Sequence, residues 1–162
     1  MVSTITFRDA VLGDEGRVLW FIRALAEYEK LLHEVEATEG DLAAALFGPT
    51  PRCHAMFAEL DGVDVGFGLW FYNFSTFVGR AGLYVEDVFV LPEYRGRGVG
   101  RAIFSELARR AIAEGCKRMD WWVLNWNAPA IRFYGALGAR PMDQWTVQRL
   151  TGEALAAVAE GR

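Results

Sequence analysis

Several kinds of residue are scarce in this chain of 162, and each scarcity removes a class of protein. The two cysteines, Cys53 and Cys116, are too few for a disulfide framework and lack metal-type spacing, so both read as free thiols in a reducing compartment. The two histidines, His33 and His54, form no HxxxH-type pair, and no metal site is expected. Long apolar runs are missing: the longest, 67–72, falls far short of the roughly 20 residues a membrane-spanning helix needs. Thr4, Thr6, Arg8 and Asp9 interrupt any leader-like apolar stretch, so the expected location is cytoplasmic, with no membrane partner. Positive charge is also short. Lys and Arg number 17 against 21 Asp and Glu, a net charge of −4, which disfavours nucleic acid as a partner and is compatible with a cationic substrate.

What remains is a globular composition. Apolar residues make up 52% and charged residues 23%, without repeats, linkers or low-complexity segments, so one domain over 1–162 with a sizeable core is expected. The aromatic share of 14%, with six tryptophans, suggests a heavily packed sheet or an aromatic-lined cleft.

Along the chain, residues 4–8 alternate as a first strand. Asp14 reads as the cap of a helix to about Lys30, with Val18, Leu19, Phe21, Ile22, Leu25 and Ala26 on its buried face. An acidic cluster (Glu27, Glu29, Glu34, Glu36) surrounds Tyr28 at its end, either a solvated helix terminus or a lure for a cation. Thr38 and Asp41 have capping-box spacing for a short helix through Leu46. Strands are predicted at 53–60 and 63–74, joined by the hairpin signal Asp61-Gly62, with Gly66 and Gly68 marking a bulge or close backbone approach. Residues 73–82 read as a loop.

The central stretch is 83–114, LYVEDVFVLPEYRGRGVGRAIFSELARRAIAE. An apolar strand holding the pair Glu86-Asp87 runs into a turn rich in Arg and Gly. A helix follows, with Val99, Ile103, Phe104, Leu107, Ala108, Ala111 and Ile112 on one face, ending at Gly115. Glycine loop and helix start together present backbone N–H groups and the positive end of the dipole to an anion. Beyond lie a strand at 119–124, a helix opened by Asn127-Ala128-Pro129 that aligns Ile131, Tyr134 and Leu137, a last strand at 142–150, and a short Ala-rich helix. The order is mixed α/β, with antiparallel hairpins early and crossover units late.

Four readings compete for Arg95-Gly96-Arg97-Gly98-Val99-Gly100. A nucleotide P-loop needs GxxxxGK[ST], and Lys and Ser/Thr are both missing after Gly100. A dinucleotide loop needs GxGxxG and an acidic partner that ends the next strand, whereas Asp120 begins one. A plain tight turn needs no ligand. The fourth reading is the pyrophosphate of coenzyme A, for the pattern [RQ]-x-x-G-x-[GA] is met by Arg95, Gly98 and Gly100.

With that pattern the chain resembles the GCN5-related N-acetyltransferase superfamily from the first strand to about Leu150. It is most similar to the diamine and thialysine N-acetyltransferases, through LAEYEK (25–30), YNFSTFVGRAGLYVEDVFV (72–90), PEYRGRGVG (92–100) and VLNWNAPAIRFYGALGA (123–139). The resemblance implies a mixed, mostly antiparallel twisted sheet flanked by helices, with coenzyme A in the cleft between the two central strands. It implies acetyl-CoA as cosubstrate, no metal, and direct attack by a primary amine in a ternary complex. An amine with a pKa of about 10.4 must first lose a proton, the thioester oxyanion needs a donor, and the leaving thiolate needs an acid.

Residue by residue, Glu86 matches the family carboxylate that accepts the amine proton, and its apolar strand is expected to desolvate it and raise its pKa. Asp87 is expected on the opposite face as a structural partner or substrate contact. Tyr134 matches the tyrosine that protonates the coenzyme A sulfur. The main chain of Val88, Phe89 and Val90 would run beside the pantetheine arm, with the Val88 N–H as oxyanion donor. Asn127 would reach that arm from the other side. Arg95, Gly96, Arg97, Gly98, Val99, Gly100 and Arg101 would hold the pyrophosphate by N–H groups and charge. Glu29 matches an acid near the amine tail and Phe77 an aromatic wall, while Ser75 stands where spermidine-type members carry an acid. Ser75 and Thr76 favour a small amino acid with a side-chain amine over a polyamine. Trp121, Trp122 and Trp126 either line the cleft or pack, with packing favoured for the first two. A homodimer is implied, with residues 67–74 or the final strand as surface. Alternatives are a protein lysine or N-terminus or an antibiotic amine as acceptor, or a non-catalytic acyl-CoA-binding module.

Overall fold

A computed structural model describes residues 4–162, and the first three positions of the expected domain lie outside it. The chain falls into two compact units that divide between Trp122 and Val123. The first holds all the strands among the described residues. β1 (Ile5–Asp9), β2 (His54–Leu60), β3 (Val63–Ser75), β4 (Arg80–Val90) and β5 (Met119–Asp120) lie side by side in chain order. The pairings from β1 to β4 are antiparallel and that of β4 with β5 is parallel, the mixed sheet expected. Its helices are α1 (Glu15–Tyr28), α2 (Glu39–Phe47) and α3 (Val99–Ala113).

Successive strand side chains point to opposite faces, and this alternation builds two cores. Met56 and Ala58 join Val99, Ile103 and Leu107 of α3. Ala55 and Phe57 join Val18 and Phe21 of α1 and Leu42 and Leu46 of α2. Phe21 and Phe67 stack at 5.1 Å in this second core. Each fully buried phenylalanine there stabilises the fold by about 1.5–3 kcal/mol. Gly66 is the point of closest approach. A Cβ there would meet the Phe89 carbonyl oxygen at 2.9 Å and Ile103 Cδ1 at 3.1 Å, so glycine lets α3 settle onto β3 and β4.

Local signals hold well. Thr38 Oγ accepts the Asp41 N–H and the Asp41 carboxylate accepts the Thr38 N–H at 2.9 Å, completing the capping box of α2. Asp61 and Gly62 both take positive φ (53° and 78°), as a two-residue hairpin turn demands. Asp14 is the N-cap residue of α1 as expected, but its side chain makes no cap hydrogen bond: its carboxylate accepts from the Val11 N–H at 2.9 Å and from Arg8 at 2.8 Å. Ile112, expected on the buried face of α3, is 76% exposed, one step around the helix from Ala111. The expected loop at 73–82 shrinks to 76–79, because β3 and β4 stay paired out to Ser75 and Arg80.

β5 pairs only at Met119 and Asp120, although the apolar run reaches 124. In the second unit, α4 (Ala128–Ala136) and α5 (Gly152–Ala159) form as expected, but 142–150 is not a strand. A strand requires a neighbour for its N–H and C=O groups, and residues 142–150 are exposed throughout with no strand beside them among the described residues.

Candidate functional site

The parallel ladder stops at Tyr84 and Asp120, so from Val85 onward β4 has no strand partner on that side among the described residues. The Leu91 N–H reaches across to the Val65 carbonyl on the β3 side, at 3.0 Å. By alternation, the main-chain groups of Val90 and Val88 turn to the unpartnered edge, as expected for a strand able to pair with an extended ligand. Phe89, between them, is buried among the residues of α1 and α2.

The glycine loop continues from this edge. Pro92–Tyr94 makes one 3-10 turn, and Gly96 and Gly98 take φ of 74° and 84°. Gly98 is the residue before the first turn of α3 and has no side chain to accept the N–H groups of that turn. The first amides of a helix need an acceptor, and here the cap supplies none, a fit to an anionic group. Arg95 departs from expectation. Its Nε donates to the Val90 carbonyl at 3.0 Å, and its guanidinium lies 4.7 Å from the Tyr28 ring centre and 5.3 Å from that of Phe89. Arg95 therefore ties the loop back to β4 and to the end of α1. Arg97 lies over the Tyr94 ring at 5.2 Å, and both Arg97 and Arg101 are exposed.

The acidic pair is shaped by a β-bulge. Trp70 opposes Val85 and Leu69 opposes Asp87, which leaves Glu86 as an extra residue. Regular alternation would set 85, 87 and 89 on one face. Instead Val85 belongs to the α3 core, whereas Leu69 and Phe89 lie in the α1/α2 core, so Asp87 faces α1 and α2. The bulge thus gathers Glu86 and Asp87 on one side, against the expectation of opposite faces. Both carboxylates push the Cys53 thiol up, after burial, and Glu86 acts on Asp87 directly.

Burial also falls on the other residue. Glu86 is exposed, and Asp87 is half-buried. Burial first, then the neighbouring Glu86 and Glu29, push the Asp87 carboxyl up to about 7. Glu29, at the end of α1, is half-buried and raised by burial. Among the described residues no hydrogen bond or ion pair ties Glu29, Glu86 or Asp87 to a cation. Beside them runs an aromatic row: Phe71 stacks on Tyr84 at 4.8 Å, and Trp122, 58% exposed, meets Tyr84 edge-on at 6.1 Å. Trp122 is therefore not the packed residue expected, whereas Trp121 packs against the α3 core.

Phe77 does not join this face. It sits at the tip of the β3–β4 hairpin, 93% exposed, and the start of β4 there is about 23 Å along the strand from Asp87. Ser75 is buried, and its Oγ accepts the Val78 N–H at 3.4 Å within that turn. Tyr84 and Phe71 carry no signal of their own in the sequence, and Cys53 reads there only as a free thiol. Only the odd spacing of an acidic pair in an apolar strand hinted that the strand changes phase there. In the second unit, Asn127 is buried and its Oδ1 accepts the Ala130 N–H at 3.3 Å, so it caps α4. Tyr134, on α4, is half-buried beside Phe133, with ring centres 5.5 Å apart. Among the described residues no group of three or more His, Cys, Asp or Glu is placed to hold a metal ion, and no helix is long and apolar enough to cross a membrane.

Known proteins resemble this chain over most of its length. A family model described as acetyltransferase (GNAT) family matches residues 20–139. The chain is 40% identical to a thialysine N-epsilon-acetyltransferase of Bos taurus, over 98% of this chain and 99% of that one. It is 31% identical to an L-ornithine N5-acetyltransferase of Arabidopsis thaliana, over 85% and 80% of the two. Among solved structures, an integron cassette protein from the mobile metagenome of V. cholerae matches with a TM-score of 0.79 and 25% identity, covering 99% of both chains.

Proposed function

The chain belongs to the acetyltransferase (GNAT) family, and from that premise we propose that it moves an acetyl group from acetyl-CoA to the primary amine of a small molecule. The observation that carries the acceptor class is the trio Glu29, Glu86 and Asp87, gathered without a cation of the protein's own beside the unpartnered edge of β4. Burial pushes the Glu29 and Asp87 carboxyls up, and a cation such as an alkylammonium relieves them. The likeness to the Bos taurus and Arabidopsis thaliana enzymes supports an amino acid with a side-chain amine as first choice, with diamines second.

The residues present fit the cosubstrate. Main-chain groups of Val88 and Val90 would pair with its extended arm, and N–H groups from Gly96 to Arg101 would hold its pyrophosphate, with Arg97 and Arg101 adding charge. Acetyl-CoA, when bound, supplies an activated thioester. The Val88 N–H would serve the oxyanion, and Tyr134, whose phenol keeps its proton near neutral pH, would protonate the departing sulfur. Asn127 and Phe89 would steady the arm by main-chain position. No metal takes part in this scheme.

The whole chain would act as one catalytic domain in the cytoplasm, where the free thiols Cys53 and Cys116 stay reduced. A homodimer is supported by the β3–β4 hairpin. It runs past the last β2 partner, His54 opposite Trp70, and leaves Phe74 64% and Phe77 93% exposed. The test is thiol release from acetyl-CoA with thialysine, lysine, ornithine, putrescine, spermidine and a lysine peptide, products being identified by mass. Release with the amino acids ahead of the peptide is expected. Binding of acetyl-CoA with no release from any amine would leave only an acyl-CoA-binding module.

A further inference from the structure

Glu86, by resemblance, is the family position for proton uptake, but the fold sets its neighbour into the half-buried place. We propose that Asp87 is the group that takes the acceptor's proton, with the exposed Glu86 passing it on to solvent. The proposal rests on the acetyl-transfer reading above and changes which residue does its acid–base work.

The geometry has three parts. The bulge at Glu86 turns Asp87 toward α1 and α2 and leaves Glu86 at the exposed rim. The groups facing Asp87 are Glu86 from β4 itself, Glu29 from the end of α1 and the Cys53 thiol ahead of β2, with the Tyr84 ring further along the same face. Arg95, the cation of the adjoining loop, is turned to Tyr28, Phe89 and the Val90 carbonyl. The place is therefore half-dry and negative. Burial and the two carboxylates bring Asp87 to about 7, near the working pH, where a general base is most effective.

The step balances. An acceptor R–NH3⁺ gives one proton to the Asp87 carboxylate. The freed lone pair forms the N–C bond to the thioester carbonyl, and the C–S bond breaks. The second nitrogen proton is lost as the amide forms, and the sulfur gains one proton to become the free thiol. One proton per turnover leaves the protein, and Glu86 lies on the way from Asp87 to water.

The experiment is the pH profile of kcat/KM for thiol release, measured on wild type, D87N, D87E and E86Q with the best amine of the panel. The NMR titration of the Asp87 carboxyl carbon accompanies it. Wild type should show an acidic limb near 7 that coincides with the carboxyl titration. D87N should lose the limb and about 10²-fold or more in kcat, with acetyl-CoA affinity kept, and D87E should restore the limb. E86Q should slow turnover yet keep the limb. An active wild type whose limb survives D87N and vanishes in E86Q overturns the proposal. So does an Asp87 carboxyl that titrates in the ordinary carboxylate range. A wild type inactive with every amine refutes the transferase reading itself, and the base role with it.

Discussion

Glu86 and Asp87 are neighbours in sequence with unlike surroundings, and the difference has a cost that can be measured. Asp87 rises from 3.8 to about 7. Between those values the folded chain holds one more proton than the unfolded chain, so stability falls as pH rises through that window and levels off above it. At about 1.4 kcal/mol per pH unit, the ionised carboxylate costs up to about 4 kcal/mol above pH 7, less whatever solvent reaches it. D87N should accordingly be more stable than wild type at pH 8 and about equal to it below pH 4. Thermal melts across that range check this, and a constant difference between the two proteins would refute it. Tyr134 gives a second prediction at this scale. Tyr134→Phe should lower kcat by about 10²-fold with acetyl-CoA affinity unchanged, since the phenol is asked only for a proton. Calorimetric titration beside single-turnover kinetics separates the two quantities.

At the scale of elements, Gly66 controls the seat of α3 on the sheet. Gly66→Ala would press a methyl group to 2.9 Å from the Phe89 carbonyl oxygen, where backbone must shift, and to 3.1 Å from Ile103 Cδ1. A loss of about 1–3 kcal/mol is expected, together with a raised KM for acetyl-CoA, because the displaced backbone is the edge that Val88 and Val90 share. An unchanged KM would mean that the seat of α3 and the strand edge are independent. Elements set by local chemistry were legible in the sequence. Thr38 and Asp41 announced α2, Asp61-Gly62 announced a hairpin, and the spacing of Val99, Ile103 and Leu107 announced α3. Three features were not legible, for different reasons. The polar, glycine-bearing stretch at 73–82 resembled a loop because pairing between strands is a tertiary fact. The apolar run at 119–124 carried no information about a hydrogen-bonding neighbour, and Met142, Trp145, Val147 and Leu150, scattered through 142–150, are exposed and belong to no strand. The bulge has no residue type of its own, so alternation placed Asp87 on the wrong face and assigned the desolvated carboxylate to Glu86.

Across the whole molecule, the exposed aromatic hairpin tip predicts association. Phe74→Glu combined with Phe77→Glu should shift the protein to monomer in sedimentation at micromolar concentration while leaving the melting curve of the fold nearly as it was, because neither ring belongs to a core. A double variant that sediments like wild type would remove the hairpin from the interface. The bulge, finally, works as a phase slip in a periodic signal. Deleting Glu86 would restore strict alternation between Arg80 and Val90 with every remaining residue on its present face, Val85 still opposite Trp70 and Asp87 still opposite Leu69. Pairing Glu86 into the ladder as an ordinary residue would instead take Leu83 and Val85 out of the α3 core, or bring Asp87 into it in place of an apolar side chain. One unpaired residue therefore absorbs the mismatch between the two halves of the strand, so that each half keeps its apolar face while both carboxylates gather on one side.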